Sequence, residues 1–377
     1  MKILVLDGIN KNTLAIVRHL GKLRIGEIDV VSHTNYSISF YSKFIHERVI
    51  SPDPKTVEDD FISFLLDRLK NQKYDLLIPV GFKTFEICSK IQHELKKLSK
   101  VILTSHDNIK LASSKKETYV LAEKLGISYP KTWYVENKKK IEEYEFNYPS
   151  VIKAPFESGV TLVSYANNHA DLVDKYHKMC DENDFTEPNL PIIQEFIQGV
   201  GYGFFAFYEN GTCKRFFMHK RIREYPVTGG PSTCAETYYD DELKNLGMRI
   251  LDYLEWNGVA MVEFKKDSND GKYKLMEINP KFWGSLDLAL IAGVNFPYFL
   301  CKKALNQKIE FLGDYKRIRF QWLLNGDCLH FFENPISLFS ILRDVFRSKN
   351  DIWISDLKPN LFQILKIFEY LYKRLFK

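Results

Sequence analysis

Along the first 110 residues, short apolar runs alternate with stretches of helical spacing. The runs 3–6, 28–32, 75–79 and 101–104 are predicted strands. Between them, 13–20, 61–69 and 84–97 are predicted helices, the second with Phe61, Phe64, Leu65 and Leu69 on one face. Strands and helices alternating at this spacing predict a parallel α/β layer through about residue 110. From about 111 the pattern changes. A helix over 115–125 ends at Gly126, with Pro130 beyond it. A strand over 150–154 runs into a turn at 155–159, and a helix over 170–180 into a polar loop at 181–191. Three strands follow at 192–197, 203–208 and 213–218, then a long helix over 240–256. Two strands, 258–265 and 272–279, form a predicted hairpin across Asp267-Ser268-Asn269-Asp270-Gly271. Beyond 300 the spacing is helical with loops. These shifts divide the chain into 1–110, 111–190, 191–305 and 306–377.

Composition narrows the class. The chain has 377 residues, 45% hydrophobic and 27% charged, which is a globular composition and not a disordered one. A formal net charge of +5 is mild, and the basic residues are spread along the chain, so no nucleic-acid patch is predicted. The six cysteines show neither a CxxC nor zinc spacing, so buried free thiols in a reducing cytoplasm are expected. The apolar start is too short for a signal peptide core, and no 18-residue window is apolar enough to span a bilayer. The first strand–helix turn reads Asp7-Gly8-Ile9-Asn10-Lys11-Asn12, without the GxGxxG fingerprint, which disfavours a dinucleotide-binding dehydrogenase. The last stretch, 361–377, combines apolar spacing with Lys366, Lys373, Arg374 and Lys377. It is either a packed terminal helix whose basic residues suit its dipole or a helix lying on a membrane surface.

Four stretches carry chemistry. In the hairpin, Glu277 and Asn279 share a strand face at i and i+2, and Glu263 lies on the partner strand. Two carboxylates and an amide oxygen converging on one face form a hard oxygen site suited to magnesium, with phosphate and water completing the shell. Second, Ser150-Val151-Ile152-Lys153 ends an apolar strand on a cation, which is costly to bury unless it meets an anion. The small turn after it, Glu157-Ser158-Gly159-Val160, could bring backbone N–H groups onto phosphate oxygens. Third, Gln194-Glu195-Phe196-Ile197 empties an apolar strand into the Gly199 bend, as a hinge or as a backbone edge for an adenine. Fourth, Arg221 and Arg223 alternate onto one face beside Gly229-Gly230-Pro231-Ser232, which predicts a carboxylate or acceptor pocket or else a solvated basic strand. His219 beside them is a possible base or a structural hydrogen-bonder.

The first three of these stretches, together and in this order, resemble the ATP-grasp superfamily, and within it the single-copy carbamoyl-phosphate-synthase-like carboxylate–amine ligases. The resemblance covers nearly the whole chain. It is carried most specifically by Glu277-Ile278-Asn279-Pro280-Lys281-Phe282-Trp283-Gly284-Ser285, and by Ser114-Lys115-Lys116-Glu117-Thr118-Tyr119 with Leu121-Ala122, Gly126 and Pro130. It implies two α+β lobes holding ATP, preceded by a parallel α/β domain and followed by a helical extension. It further implies that Lys115 and Lys153 contact phosphates, with Glu157, Ser158 and Gly159 in a flap above them. The Gln194 carbonyl and Ile197 N–H would bracket adenine, with Glu195 and Phe196 between. Glu263, Glu277 and Asn279 would hold Mg2+ (or Mn2+), and Arg221, Lys281 and Asn279 would act on the reacting groups. Arg223, Gly229, Gly230 and Ser232 would face substrate. The implied reaction is ADP-forming activation of a carboxylate for attack by an amine, thiol or similar nucleophile, in the cytoplasm. Dimers are frequent among proteins of this type. Lys281 stands where the family usually has Arg, Ser114 where it usually has Asp, and the flap is short on glycine. Those departures keep open a second expectation, a non-catalytic ATP-binding module on the same fold. Carbamoyl phosphate synthesis itself ranks below both, because the chain holds one copy of the pattern and no glutaminase stretch.

Overall fold

The computed structural model describes residues 1–157, 162–311 and 313–375. By its internal contacts the chain divides into two compact units, 1–109 with 203–261 and 280–377, and 110–202 with 262–279.

The larger unit begins with a parallel sheet built from β1 (Lys2–Val5), β2 (Glu27–Ser32), β3 (Glu47–Ile50) and β4 (Leu76–Ile78), in the order β3-β2-β1-β4. Ile3, Leu4 and Val5 are fully buried, as a strand covered on both faces requires. Helices Lys11–Lys22 and Glu58–Asn71 pack on it through Ile16, Val17 and Leu20 and through Phe61, Leu65 and Leu69. Three expectations change here. The strand β3 was not foreseen, because Glu47-Arg48-Val49-Ile50 is half polar, as befits a sheet edge. The run 101–104 forms no ladder, since only Lys100 bridges to Leu76. The helix expected over 84–97 is two, Phe82–Lys90 and Gln92–Leu98, separated at Ile91 by a turn of the backbone (φ −104°, ψ 25°).

The smaller unit has an antiparallel sheet of β5 (Thr132–Tyr134), β6 (Ser150–Lys153), β7 (Val163–Ala166) and β8 (Ile192–Glu195), in the order β5-β8-β6-β7. The helix His169–Glu182 covers it, burying Leu172, Tyr176 and Met179 against Ile152 and Ile193. A second helix, Lys115–Lys124, starts at Ser114, whose Oγ accepts from the Glu117 N–H at 3.3 Å. It ends at Gly126 in the left-handed conformation (φ +61°), the C-cap that the sequence predicts.

The larger unit's second sheet uses β9 (Gly199–Glu209), β10 (Thr212–Glu224), β11 (Ser232–Thr237) and the start of β12 (Gly258–Asp267). The second half of β12 pairs with β13 (Tyr273–Asn279) in the smaller unit. In the larger unit the order continues β12-β9-β10-β11-β14-β15, the last two strands being Arg319–Gln321 and Lys349–Asn350. These two correct the expectation of a purely helical segment after 300. Two or three residues of mixed polarity carry no period that a sequence can show, and their pairing is decided by β11. The C-terminal helix, Leu357–Leu375, is anchored by Arg18, which donates to Asp356 Oδ2 at 2.9 Å and to Asn360 Oδ1 at 3.1 Å. Among the described residues, no helix is long and apolar enough to cross a membrane.

Candidate functional site

In the smaller unit β6 delivers Lys153 from a fully buried strand (Ile152 is 0% exposed) to a half-buried end. Its Nζ donates to Gln194 Oε1 on the neighbouring β8 at 2.7 Å, and Gln194 Nε2 donates to Thr132 Oγ1 on β5 at 2.9 Å. The lysine therefore has a neutral partner in a fixed orientation. Burial draws its pKa from 10.5 down to about 8, and the Lys115 ammonium adds to that fall. Glu277 and Glu263 act the other way, and a third cation, Lys265, again lowers it. Five charged groups from β6, the Lys115–Lys124 helix, β12 and β13 thus share one electrostatic environment.

Lys115 is positioned by its own backbone. Its N–H donates to the Pro155 carbonyl at 3.0 Å, and the Glu157 N–H donates back to Ser113 O at 2.9 Å. The start of the helix is so stitched to the segment leaving β6. That segment begins the expected flap; Ser158, Gly159 and Val160 lie outside the described residues, and Glu157 is placed half-buried beside the helix start.

On the hairpin, Asn279 Nδ2 donates to Glu277 Oε1 at 2.6 Å, which makes Asn279 Oδ1 the amide atom that can ligate a cation. Glu263 and Glu277 both act on Lys153 and on the buried Tyr119, whose phenol is raised first by burial. The Tyr119 hydroxyl donates to the Met276 carbonyl at 2.9 Å, tying the helix to β13. Among the described residues, no group of three or more His, Cys, Asp and Glu is gathered as a metal cage. The set present, two carboxylates and an amide oxygen, is a partial shell of hard donors. It fits an ion that takes its remaining ligands from phosphate and water.

Lys265 was missed by the sequence reading. Its Nζ donates to Ile197 O at 3.0 Å and lies 5.0 Å over the Phe196 ring. The signal was available: Lys265 is two residues beyond Glu263 in a strand and shares its face. Gln194 lies inside a three-strand ladder, with Thr132 as its register partner on one side and Val151 on the other. Its side chain links Lys153 to Thr132. Glu195, Phe196 and Ile197 lie at and beyond the strand end.

The larger unit holds the remaining candidates. Arg221 Nη1 donates to Gly230 O at 3.2 Å and pairs with Glu224 at 3.3 Å, so the Gly229-Gly230 loop and the arginine are held together. A Cβ on Gly230 would lie 2.2 Å from Tyr225 O, so the loop requires glycine there. Ser232 is buried at the start of β11 opposite Glu224. Lys281 and the buried Phe282 and Trp283 follow the hairpin. Arg223, expected to face substrate, is corrected. Its Nε and Nη2 donate to Asp327 at 3.0 and 2.6 Å, and Nη1 donates to Asp344 at 2.5 Å, all buried. The guanidinium is committed to an internal ion cluster. His219 is fully buried and edge-on to Phe205 at 4.7 Å, and burial holds its pKa far below the usual range. It is a neutral ring, and among the described residues neither nitrogen has a hydrogen-bond partner where a structural hydrogen bond was one of the expectations. All six cysteines are free, and five are buried.

Residues 217–324 match the sequence family described as ATP-grasp in the biosynthetic pathway with Ter operon. The chain is 22% identical over 294 residues to the carbamoyl phosphate synthase large chain of Methanosarcina barkeri, covering 69% of this chain and 27% of that protein. It is 22% identical over 289 residues to the D-aspartate ligase of Enterococcus faecium, covering 71% and 68%. It thus spans about a quarter of the first relative and two thirds of the second. Among solved structures, the biotin carboxylase β-γ-ATP complex from Campylobacter jejuni aligns with a TM-score of 0.67 at 13% identity, over 84% of this chain and 74% of that one.

Proposed function

We propose that this chain, which has the ATP-grasp fold, is an ADP-forming ligase that activates a carboxylate with ATP and passes the acyl group to an amine or similar nucleophile. The observation that carries this is Lys153. A buried ammonium drawn down to about 8 by burial and two further lysines, with two carboxylates beside it, is an arrangement that a metal-bound polyphosphate would satisfy and that a folded core alone would not select. The relatives' names support it: one is a D-aspartate ligase and one a carbamoyl phosphate synthase.

In this reading Lys115, Lys153 and Lys265 neutralise phosphate oxygens, and Gln194 aims Lys153. Glu263, Glu277 and Asn279 Oδ1 hold Mg2+ (or Mn2+). When bound, that ion supplies charge neutralisation between neighbouring phosphates. Glu195 to Ile197 receive the adenine edge, and Phe196, with Lys265 over its ring, walls it. The substrate carboxylate oxygen attacks the γ-phosphorus and the bond to the β-phosphate oxygen breaks, giving an acyl phosphate and ADP. The nucleophile then adds at the carbonyl carbon, loses its proton, and expels phosphate. The protein's part is positioning and electrostatics, for which no Ser, Cys or His nucleophile is required. Arg221 and Lys281 are the larger unit's candidates for carboxylate recognition. A reaction that consumes ATP, together with the free thiols, supports a cytoplasmic setting in this reading.

The test is phosphate release from MgATP against a panel of amino acids, paired and single, and other carboxylates, with Glu277→Ala as control. A ligase releases phosphate only with a particular carboxylate present, and the variant loses at least about a hundredfold in rate while keeping its thermal midpoint. Full activity in Glu277→Ala would sink the assignment. Tight MgATP binding without turnover across the panel would transfer it to a binding module.

A further inference from the structure

The C-terminal segment is built inside out. In the helix Leu338–Arg347 the buried positions include Asp344, and in Leu357–Leu375 they include Asn360 and Gln363. These polar residues face the protein because they are bonded there: Asp344 to Arg223 and Arg319, Asn360 to Arg18 and to Gln363 Oε1. The side facing away is apolar. Phe339 is 83% exposed, Phe346 88%, Leu365 67% and Phe368 64%. At 3.6 residues per turn, Leu338, Phe339, Leu342 and Phe346 fall within about 100° of one helix's circumference. Leu357, Leu361, Leu365, Phe368 and Tyr372, all exposed, fall within about 80° of the other's. An exposed apolar stripe of this length on each of two helices marks an interaction surface.

Charge decides the partner. Residues 334–377 carry eight Lys or Arg against four Asp or Glu, a net +4 of the chain's formal +5. Of the four acids, Asp344, Asp351 and Asp356 are buried. The fourth, Glu369, is held between Lys366 and Lys373 at 2.8 Å from each, which pulls its pKa down to about 2. Arg343 and Arg347 flank one stripe, and Lys358, Lys366 and Lys373 flank the other, always on the same side by helical phase. A second copy of this chain docking on the same face would bring these like charges together. An anionic lipid surface complements both features, because its headgroups meet the cations and its acyl boundary takes the Leu and Phe side chains.

We propose that the helices Leu338–Arg347 and Leu357–Leu375 seat this protein on the surface of an anionic bilayer, lying in the interface without spanning it. The full chain is sedimented with phosphatidylcholine vesicles, with and without about one third phosphatidylglycerol. Binding at least tenfold stronger to the anionic vesicles, weakened by salt, is expected. Leu365→Ser/Phe368→Ser and Phe339→Ser/Phe346→Ser should each reduce it severalfold, and Lys373→Gln about fivefold. MgATP binding in the same samples, expected unchanged, confirms that the variants fold. Equal binding to both vesicle types, or none, would overturn the proposal. So would light scattering that shows the wild type as a dimer and the Ser variants as monomers, which would give the face to a second copy.

Discussion

Lys153 and Arg223 are both cations at buried strand positions, and both were expected from sequence to face a ligand. Among the described residues, Lys153 has one neutral hydrogen-bond acceptor, two lysines near it, and a pKa drawn down to about 8. Arg223 has two buried aspartates, and those carboxylates hold its guanidinium charged. One is a charge the fold keeps at a cost, the other a charge the fold has neutralised. The lesson is that burial of a cation says little about function until its counter-charges are located. A cation left short of negative charge awaits an anion, and one already matched by its own chain holds the structure together.

The sharpest way to break this contrast is Arg223→Met. Removing the arginine leaves Asp327 with no other cationic partner among the described residues, and Asp344 with Arg319 at 3.0 Å and Arg343 at 3.8 Å. Stranding a buried carboxylate costs about 3–5 kcal/mol. Urea unfolding should show that loss, and Arg223→Met/Asp327→Asn should recover a good part of it. A variant that unfolds at the wild-type midpoint but fails to bind substrate would return Arg223 to the ligand site.

Lys153→Met should act in the opposite sense. The nucleotide-free protein should gain stability on the order of 1–3 kcal/mol, because the buried charge and its repulsion with Lys115 and Lys265 are removed. Stabilisation by MgATP should then disappear from its melting curves. The pH dependence follows from the same pKa. The folded value, about 8, lies below the unfolded value near 10.5, so the cost of the buried ammonium is present in full below 8. It is relieved as pH rises from 8 towards 10.5, where the folded chain gives up the proton first. Nucleotide-free stability should therefore rise across that window. MgATP affinity should fall through it by up to about tenfold per pH unit, since binding must restore the proton. Both slopes should flatten in Lys153→Met.

The same contrast explains what the sequence could show. Lys153, Glu263 and Glu277 were legible because a strand that alternates faces ties each residue's direction to its neighbours. Lys265 followed from that rule and was overlooked. The side-chain role of Gln194 was not legible, because the enclosure of its strand by β5 and β6 depends on pairings at residues 132 and 151, which no local pattern reveals. Arg223 was misread for a stronger version of that reason. Its carboxylates stand 104 and 121 residues away, in a segment whose strands β14 and β15 are too short to announce themselves. The first sheet was legible as a parallel layer from its apolar runs, and its edge strand was not.

The smallest effect tests how firmly the smaller unit presents its second lysine. Ser114 caps the Lys115–Lys124 helix through a 3.3 Å bond to Glu117 N, and Lys115 N–H is engaged by Pro155 O. Ser114→Ala should cost about 0.5–1 kcal/mol through the lost cap. It should weaken MgATP binding only a few-fold, because the Pro155 bond still fixes the Lys115 backbone. Ser114→Asp should restore the cap and add a favourable charge at the helix N-terminus, worth about 0.3–1 kcal/mol. That carboxylate would also stand one residue from Lys115 and compete for its ammonium. If the cation cluster exists to meet phosphate, Ser114→Asp should be the more stable protein and yet bind MgATP no better than the wild type. Parallel gains in stability and affinity would show that the helix start, and not the local charge balance, limits nucleotide binding here.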